Sequence, residues 1–187
     1  MRLKGVALYG PPASGRDTVT TELAALDSRF TLFERLRVST DPKLGLGNIS
    51  PADADALVAR GQVLYERAQD GSRSRYIVDR AELDRLTSAA LFPVLHLDEI
   101  GGVRAVMIRS GQWLAVRLHC SRDTTLNRSR ERGDTDTPTQ LAAWDQAAED
   151  LARNEAFPFA LRLDSDRLSA HQSARMIAAA FLSQHLS

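Results

Sequence analysis

The sequence predicts an α/β fold in three layers, a parallel sheet with helices on both faces and a small β-rich insert. Three observations predict it. Short apolar, β-rich runs alternate with segments of helical periodicity along the chain, the order that parallel strands with crossover helices produce. The run Trp113-Leu114-Ala115-Val116-Arg117-Leu118 reads as a strand buried on both faces, as the interior strands of such a sheet are. A glycine-bounded turn separates the first apolar run from the first helical stretch, and 187 residues suffice for one domain with a full core.

In chain order, strands are expected at residues 3–9, 31–38, 93–97, 113–120 and 159–163. Helices are expected at residues 16–26, 103–109, 124–132, 139–154 and 170–185. The first strand rests on Val6-Ala7-Leu8-Tyr9, and the first helix on Val19, Leu23 and Leu26, which fall on one helical stripe. Ser50-Pro51 opens a further helix over residues 52–60, and Gly61 closes it. Val63-Leu64-Tyr65 and Tyr76-Ile77-Val78 flank a polar segment, the pattern of a small antiparallel excursion. Ser121, followed by Arg122-Asp123, has the character of a helix cap with an acid in the first turn. The chain is therefore read as a single domain, with its core in residues 1–38 and 91–187 and an insert over residues 39–90.

Charge and cysteine content narrow the function. The 24 basic and 24 acidic residues cancel, so no electrostatic footprint for nucleic acid or an anionic membrane surface is expected. Nearly all the basic residues are arginine, with Lys4 and Lys43 the two lysines. Cys120 is the single cysteine and forms no intramolecular disulfide; beside His119 at a strand end it reads as core packing. His96, His171 and His185 have no metal-ligand spacing with it. No apolar stretch has transmembrane length and no basic leader is visible, so a cytoplasmic protein is expected, as a monomer or homodimer.

The chemistry resides in residues 10–18, Gly-Pro-Pro-Ala-Ser-Gly-Arg-Asp-Thr. Gly10 and Gly15 stand at the spacing of G-x-x-x-x-G-K-[S/T], a turn that aims backbone N–H groups and a helix N-terminus at a polyphosphate. Gly10, Pro11, Pro12, Ala13, Ser14, Gly15, Arg16, Asp17 and Thr18 are thus candidates for binding the phosphates of ATP. Arg16 occupies the lysine position, and Asp17 the position of the hydroxyl that ligates Mg²⁺, with Thr18 one residue on; Asp17 and Thr18 are the candidate metal ligands. The plain alternative is a capped strand-to-helix turn. Arg35 and Arg37 alternate to one face of a strand, where with Lys43 they could hold a second phosphate or deter edge pairing. Arg128 and Arg132 lie one helical turn apart before a polar segment with the look of a lid hinge.

Along nearly the whole chain this order resembles the guanylate kinase family, including the ribose bisphosphate phosphokinases of phosphonate metabolism. The family loop G-P-S-G-x-G-K is similar to residues 10–16, and Asp17-Thr18 to the K-D-S or K-D-T form of the phosphonate branch. The insert pattern G-x-F-L-E-x-A … Y-G is similar to residues 61–68 and Tyr76-Ile77, with one extra residue here. The strand end L-L-D-I-D-x-Q-G resembles residues 95–102, R-L-x-x-R-G resembles residues 128–133, and N-D-x-L near the adenine resembles residues 164–168.

The resemblance implies a P-loop NTPase fold and an ATP- and Mg²⁺-dependent transfer to a small phosphorylated acceptor, a nucleoside monophosphate or a sugar phosphate. It implies catalytic roles for Arg16, Arg128 and Arg132, a nucleotide contact at Asp164, and acceptor contacts at Arg35, Arg37, Lys43, Glu66, Tyr76, Asp98 and Glu99. It places a lid at about residues 128–145. Three family cations are missing from their places: Arg16 stands for lysine, Asp41 for the arginine of T-T-R, and Ala143 for the second lid arginine. A catalytically silent binding module of the same fold is the alternative.

Overall fold

The computed structural model describes residues 3–40, 47–68 and 75–185. Five strands form the central sheet: β1 (Gly5–Tyr9), β2 (Phe30–Leu32), β7 (Phe92–Leu97), β8 (Trp113–His119) and β9 (Leu161–Asp164). Their order is β2-β7-β1-β8-β9 and every pairing is parallel. All five residues of β1 are buried, as the middle strand of a sheet covered on both faces requires. Leu8, Val116 and Leu118 face α1 (Arg16–Leu26) and α7 (Ala170–His185) through Val19, Leu23, Ile177 and Phe181. Ala7, Tyr9, Leu95 and Leu97 face the other way, toward α4 (Ile100–Ser110) and α3 (Arg80–Ser88), through Val103, Val106, Leu83 and Leu86.

A second sheet has the order β4-β3-β6-β5, built from β3 (Leu36–Val38), β4 (Asn48–Ile49), β5 (Val63–Ala68) and β6 (Arg75–Asp79). β5, β6 and β3 pair antiparallel, and the short β4 runs parallel to β3. Helix α2 (Pro51–Ala59) buries Ala54 against Val38 and Ile77 on the back of this sheet, its N-terminus capped by Ser50, whose Oγ accepts from Asp53 N. Helices α5 (Arg122–Glu131) and α6 (Thr137–Arg153) complete the chain between β8 and β9.

The alternation of strands and helices agrees with expectation, and the differences have local causes. Residues 31–38 are two strands in two sheets rather than one strand: after Phe33 N bonds Val94 O the chain leaves β7, and Leu36 begins pairing with Ile77. Helix α3 was not expected; Asp79 ends β6 and caps the helix by accepting from Glu82 N, so strand runs into helix with no loop to mark the change. Helices α4, α5 and α6 begin two or three residues before the expected positions.

Candidate functional site

The C-terminal ends of β1 and β7, the front of the second sheet and α6 enclose a cleft of about 730 Å³. Its donor wall is the turn from Gly10 to Gly15. Gly15 takes φ 90°, a left-handed conformation that costs glycine little, and it is the N-cap of α1 without any side-chain cap. The first N–H groups of α1 are therefore left for another partner. Ala13 also has positive φ, at 58°, and Ser14 Oγ is buried with no hydrogen-bond partner among the described residues. Gly10, Pro11, Pro12, Ala13, Arg16 and Asp17 line the cleft. The turn therefore fits a polyphosphate. Asp17, at the first turn of α1, is almost fully exposed and lines the cleft, so its carboxylate could offer hard oxygens to a Mg²⁺ carried by phosphates; Thr18 beside it is exposed but does not line the cleft. Among the described residues, no group of three or more His, Cys, Asp or Glu gathers for a metal held by protein alone.

Arg16 does not lie over the turn. Its Nη1 donates to Leu97 O at 3.0 Å and to Asp98 Oδ1 at 2.6 Å, pinning it to the end of β7. Asp98 is shared: Arg35 Nη1 reaches its Oδ2 at 3.3 Å and Arg67 Nη1 at 3.8 Å. Burial opposes ionisation of Asp98, but Arg16, then Arg35 and Arg67, outweigh it and hold the carboxyl well below the usual range. One carboxylate thus joins a cation of the donor wall to two of the acceptor wall. Behind it, His96 Nε2 meets Thr20 Oγ1 at 2.8 Å. Burial, aided by Arg16, lowers His96 to about 4.

The second sheet presents its front to the cleft. Arg37, Tyr76 and Arg67 are in register across β3, β6 and β5 and therefore share one face. Arg35 lies in the crossing before β3, its guanidinium 5.1 Å from the Tyr76 ring centroid. The expected same-face strand pair of Arg35 and Arg37 is replaced by this arrangement, which still brings Arg35 into the cleft. Tyr76, Asp98 and Glu99 line it too, whereas Arg37, on the same face of the sheet, does not. Glu66 does not. It is on the back face with Ile77, where Arg75 Nε donates to it at 2.6 Å, because β5 carries a bulge between Val63 and Tyr65 that shifts the register. Tyr65 instead donates its hydroxyl to Glu99 Oε1, and Arg67 lines the cleft. Lys43 and Asp41 lie outside the described residues.

Arg128 sits behind the donor turn: its Nη1 donates to Ala13 O at 2.8 Å and Ser165 Oγ at 3.1 Å, and its Nη2 to Ser165 O at 3.0 Å. This ties the turn to the end of β9, where Asp164 Oδ1 accepts from Asp166 N. Neither Arg128 nor Asp164 lines the cleft, so Arg128 braces the loop rather than facing the space between donor and acceptor. Arg132 does line it and pairs with Asp134 at 2.6 Å. Cys120 is buried, its Sγ 3.3 Å from Thr125 Oγ1, and burial raises the thiol.

The third wall, α6, supplies Gln140, Ala143, Gln146, Asp150 and Arg153, none of which except Ala143 the sequence singled out. Asp150 accepts from Ile100 N at 2.7 Å, and so caps α4 from another helix. Tyr9 donates to Ala147 O at 3.0 Å; burial, with Asp150 nearby, pushes its phenol up. Arg67 and Tyr65 had a signal in the sequence, the alternation on β5, once the extra residue of the insert pattern is read as a bulge. Asp150 had none, because its partner is 50 residues away.

A five-stranded parallel sheet in this order, with a glycine turn leading from its middle strand into a helix, defines the fold of P-loop kinases. The chain is similar in fold to the crystal structure of guanylate kinase from Anaplasma phagocytophilum, with a TM-score of 0.60 and 12% identity over 100% of this chain and 89% of that one. It is likewise similar to shikimate kinase from Acinetobacter baumannii in complex with shikimate, with a TM-score of 0.52 and 14% identity over 99% and 96% of the two chains. No protein-family model matches the sequence, and no curated protein matches it. Among the described residues no helix is long and apolar enough to cross a membrane.

Proposed function

We propose that this chain is an ATP-dependent phosphotransferase that moves the γ-phosphoryl of ATP, with Mg²⁺, onto a small phosphorylated acceptor. One observation carries the reading: an uncapped helix N-terminus behind a glycine turn and an arginine-bearing sheet face each other across a single cleft. Two of the solved structures it resembles are named as kinases, one of them bound to shikimate. Phosphoryl transfer asks the protein for position and positive charge more than for covalent chemistry.

In this reading the turn and the first amides of α1 hold the phosphates of ATP. Asp17 would hold Mg²⁺, which when bound neutralises charge on the phosphate oxygens. Arg35, with Tyr76 beside it, orients the acceptor. The second sheet, β3 to β6, with Arg35 just before it, is then the acceptor side of the domain, and the segment expected as a lid, residues 128–145, is one only beyond the brace at Arg128.

The test is ATP binding by calorimetry, followed by ADP release over a panel of monophosphates and sugar phosphates. ATP should bind in the wild type, and Gly15→Val, which forces a β-branched side chain to φ 90°, should abolish binding. Absence of ATP and ADP binding at millimolar concentration, or binding that survives Gly15→Val, overturns the reading. A second reading, a binding module without turnover, is favoured by the Arg16–Asp98 ion pair, which takes the loop cation away from the phosphates. Tight ATP binding with no ADP release for any acceptor would select it.

A further inference from the structure

We propose that Asp150 is a positioning residue for the acidic corner of the cleft: from α6 it takes the first amide of α4, and so leaves the Glu99 carboxylate facing the cleft. The geometry stands apart from any reaction, and only the kinetic readout below rests on the phosphotransferase reading.

The first amides of α4 have no partner within the helix. Glu99 is the residue placed to cap them, yet its side chain makes no cap hydrogen bond. A carboxylate is drawn to such an end by the amides and by the helix dipole. Glu99 is near enough to be drawn: its Oε1 lies 3.8 Å from the place that a Cβ of Gly101 would take, and Gly101 has no side chain to keep it off. It faces the cleft instead, accepting the Tyr65 hydroxyl, with Arg67 Nε 3.9 Å from its Oε2.

Asp150 accounts for that choice. Its Oδ2 accepts from Ile100 N at 2.7 Å, and its Oδ1 from Asn154 Nδ2 at 3.1 Å. Asn154 Oδ1 accepts in turn from Arg104 Nη2 at 3.3 Å, so two side chains fasten the end of α6 to the first turns of α4. A carboxylate already seated at the helix start satisfies the leading amide, and its charge opposes the approach of a second. Glu99 is left to Tyr65 and Arg67. Tyr9, which donates to Ala147 O one turn earlier on α6, holds that helix against the end of β1. The docking of α6 and the direction of Glu99 are thus one arrangement.

The readout is the ¹³Cζ NMR signal of Tyr65 in protein labelled at its tyrosines, assigned among the three of them by Tyr65→Phe. Its shift follows what the hydroxyl donates to, and Glu99→Gln gives its position beside a neutral group. Asp150→Ala should move the signal toward that position and raise hydrogen exchange at the Ile100 amide about tenfold or more relative to core amides. Asp150→Asn, which keeps an oxygen for Ile100 N, should restore both. A loss of packing alone would lower the melting temperature and leave the Tyr65 signal where the wild type has it. Should Asp150→Ala not fold, Asn154→Ala, which removes only the prop behind Asp150, should move the signal in the same direction. A signal unmoved in the folded variants, or moved as far by asparagine as by alanine, overturns the proposal. With ATP and whichever of GMP and glycerol 3-phosphate releases ADP, Asp150→Ala should raise the KM of the acceptor several-fold more than that of ATP; equal rises overturn the positioning role. No ADP release from either counts against the phosphotransferase reading alone, and the NMR result then decides this one.

Discussion

At the scale of single residues, the chemistry turns on how many cations one carboxylate can keep. Asp98 holds Arg16 at 2.6 Å, Arg35 at 3.3 Å and Arg67 at 3.8 Å. Both contacts, to Leu97 O and Asp98 Oδ1, come from the one nitrogen Nη1, which stands one bond further from the backbone than a lysine ammonium would, so lysine at the same place falls short of them. Arg16→Lys should therefore loosen the tie to β7 and return positive charge to the turn. Asp98→Asn should have the same effect by removing the counter-charge. Both variants should bind ATP several-fold more tightly by calorimetry, while Asp98→Asn melts at a lower temperature because three arginines lose their shared partner. Unchanged or weaker ATP binding in both would mean that the ion pair does not compete with the donor.

At the scale of elements, the decisive feature is the approach of β5 to α4. Gly102 lets the Tyr65 ring lie on α4: a Cβ there would stand 2.8 Å from Tyr65 Cε1 and Cζ and 3.2 Å from Leu97 Cδ2. Gly102→Ala should lower stability by about 1–3 kcal/mol, as overpacking commonly does, and detach the Tyr65 hydroxyl from Glu99. Thermal unfolding checks the first effect and acceptor affinity the second; an alanine variant neutral in both would remove the constraint. The same region marks what sequence could and could not disclose. The strands of the core were visible because short apolar runs mark most of them, and the donor turn because glycine spacing is a local signal. Which face Glu66 and Arg67 take was hidden, since one bulged residue inverts every side chain after it. The break after Phe33 was hidden as well, because nothing within residues 31–38 says that the two halves pair with different sheets. The Arg16–Asp98 tie joins residues 82 apart, and only the folded chain brings them together.

For the whole molecule, the site couples folding to pH through groups with successive windows, both lost as pH falls. His96 bridges β7 and α1 at Thr20, and burial, then Arg16, lower its pKa to about 4 from the ordinary 6.5. The folded state therefore resists a proton that the unfolded chain accepts. His96 costs nothing at neutral pH, where it is neutral in both states. As pH falls from about 6.5 toward 4 the unfolded state takes up the proton first, and stability declines by about 3 kcal/mol over that span. Asp98 acts lower down: its carboxyl is depressed, so its contribution is complete above the ordinary carboxylate pKa and is lost as pH falls below it. Urea unfolding of the wild type should show a first loss between pH 6.5 and 4 and a second, steeper one below it. His96→Gln, which keeps a polar group within reach of Thr20 without the titration, should flatten the first and leave the second. A wild type whose stability is level from pH 7 to pH 4.5, or a glutamine variant with the same slope, would show that His96 is protonated in the folded chain and that the contact between α1 and β7 is not held by a neutral imidazole.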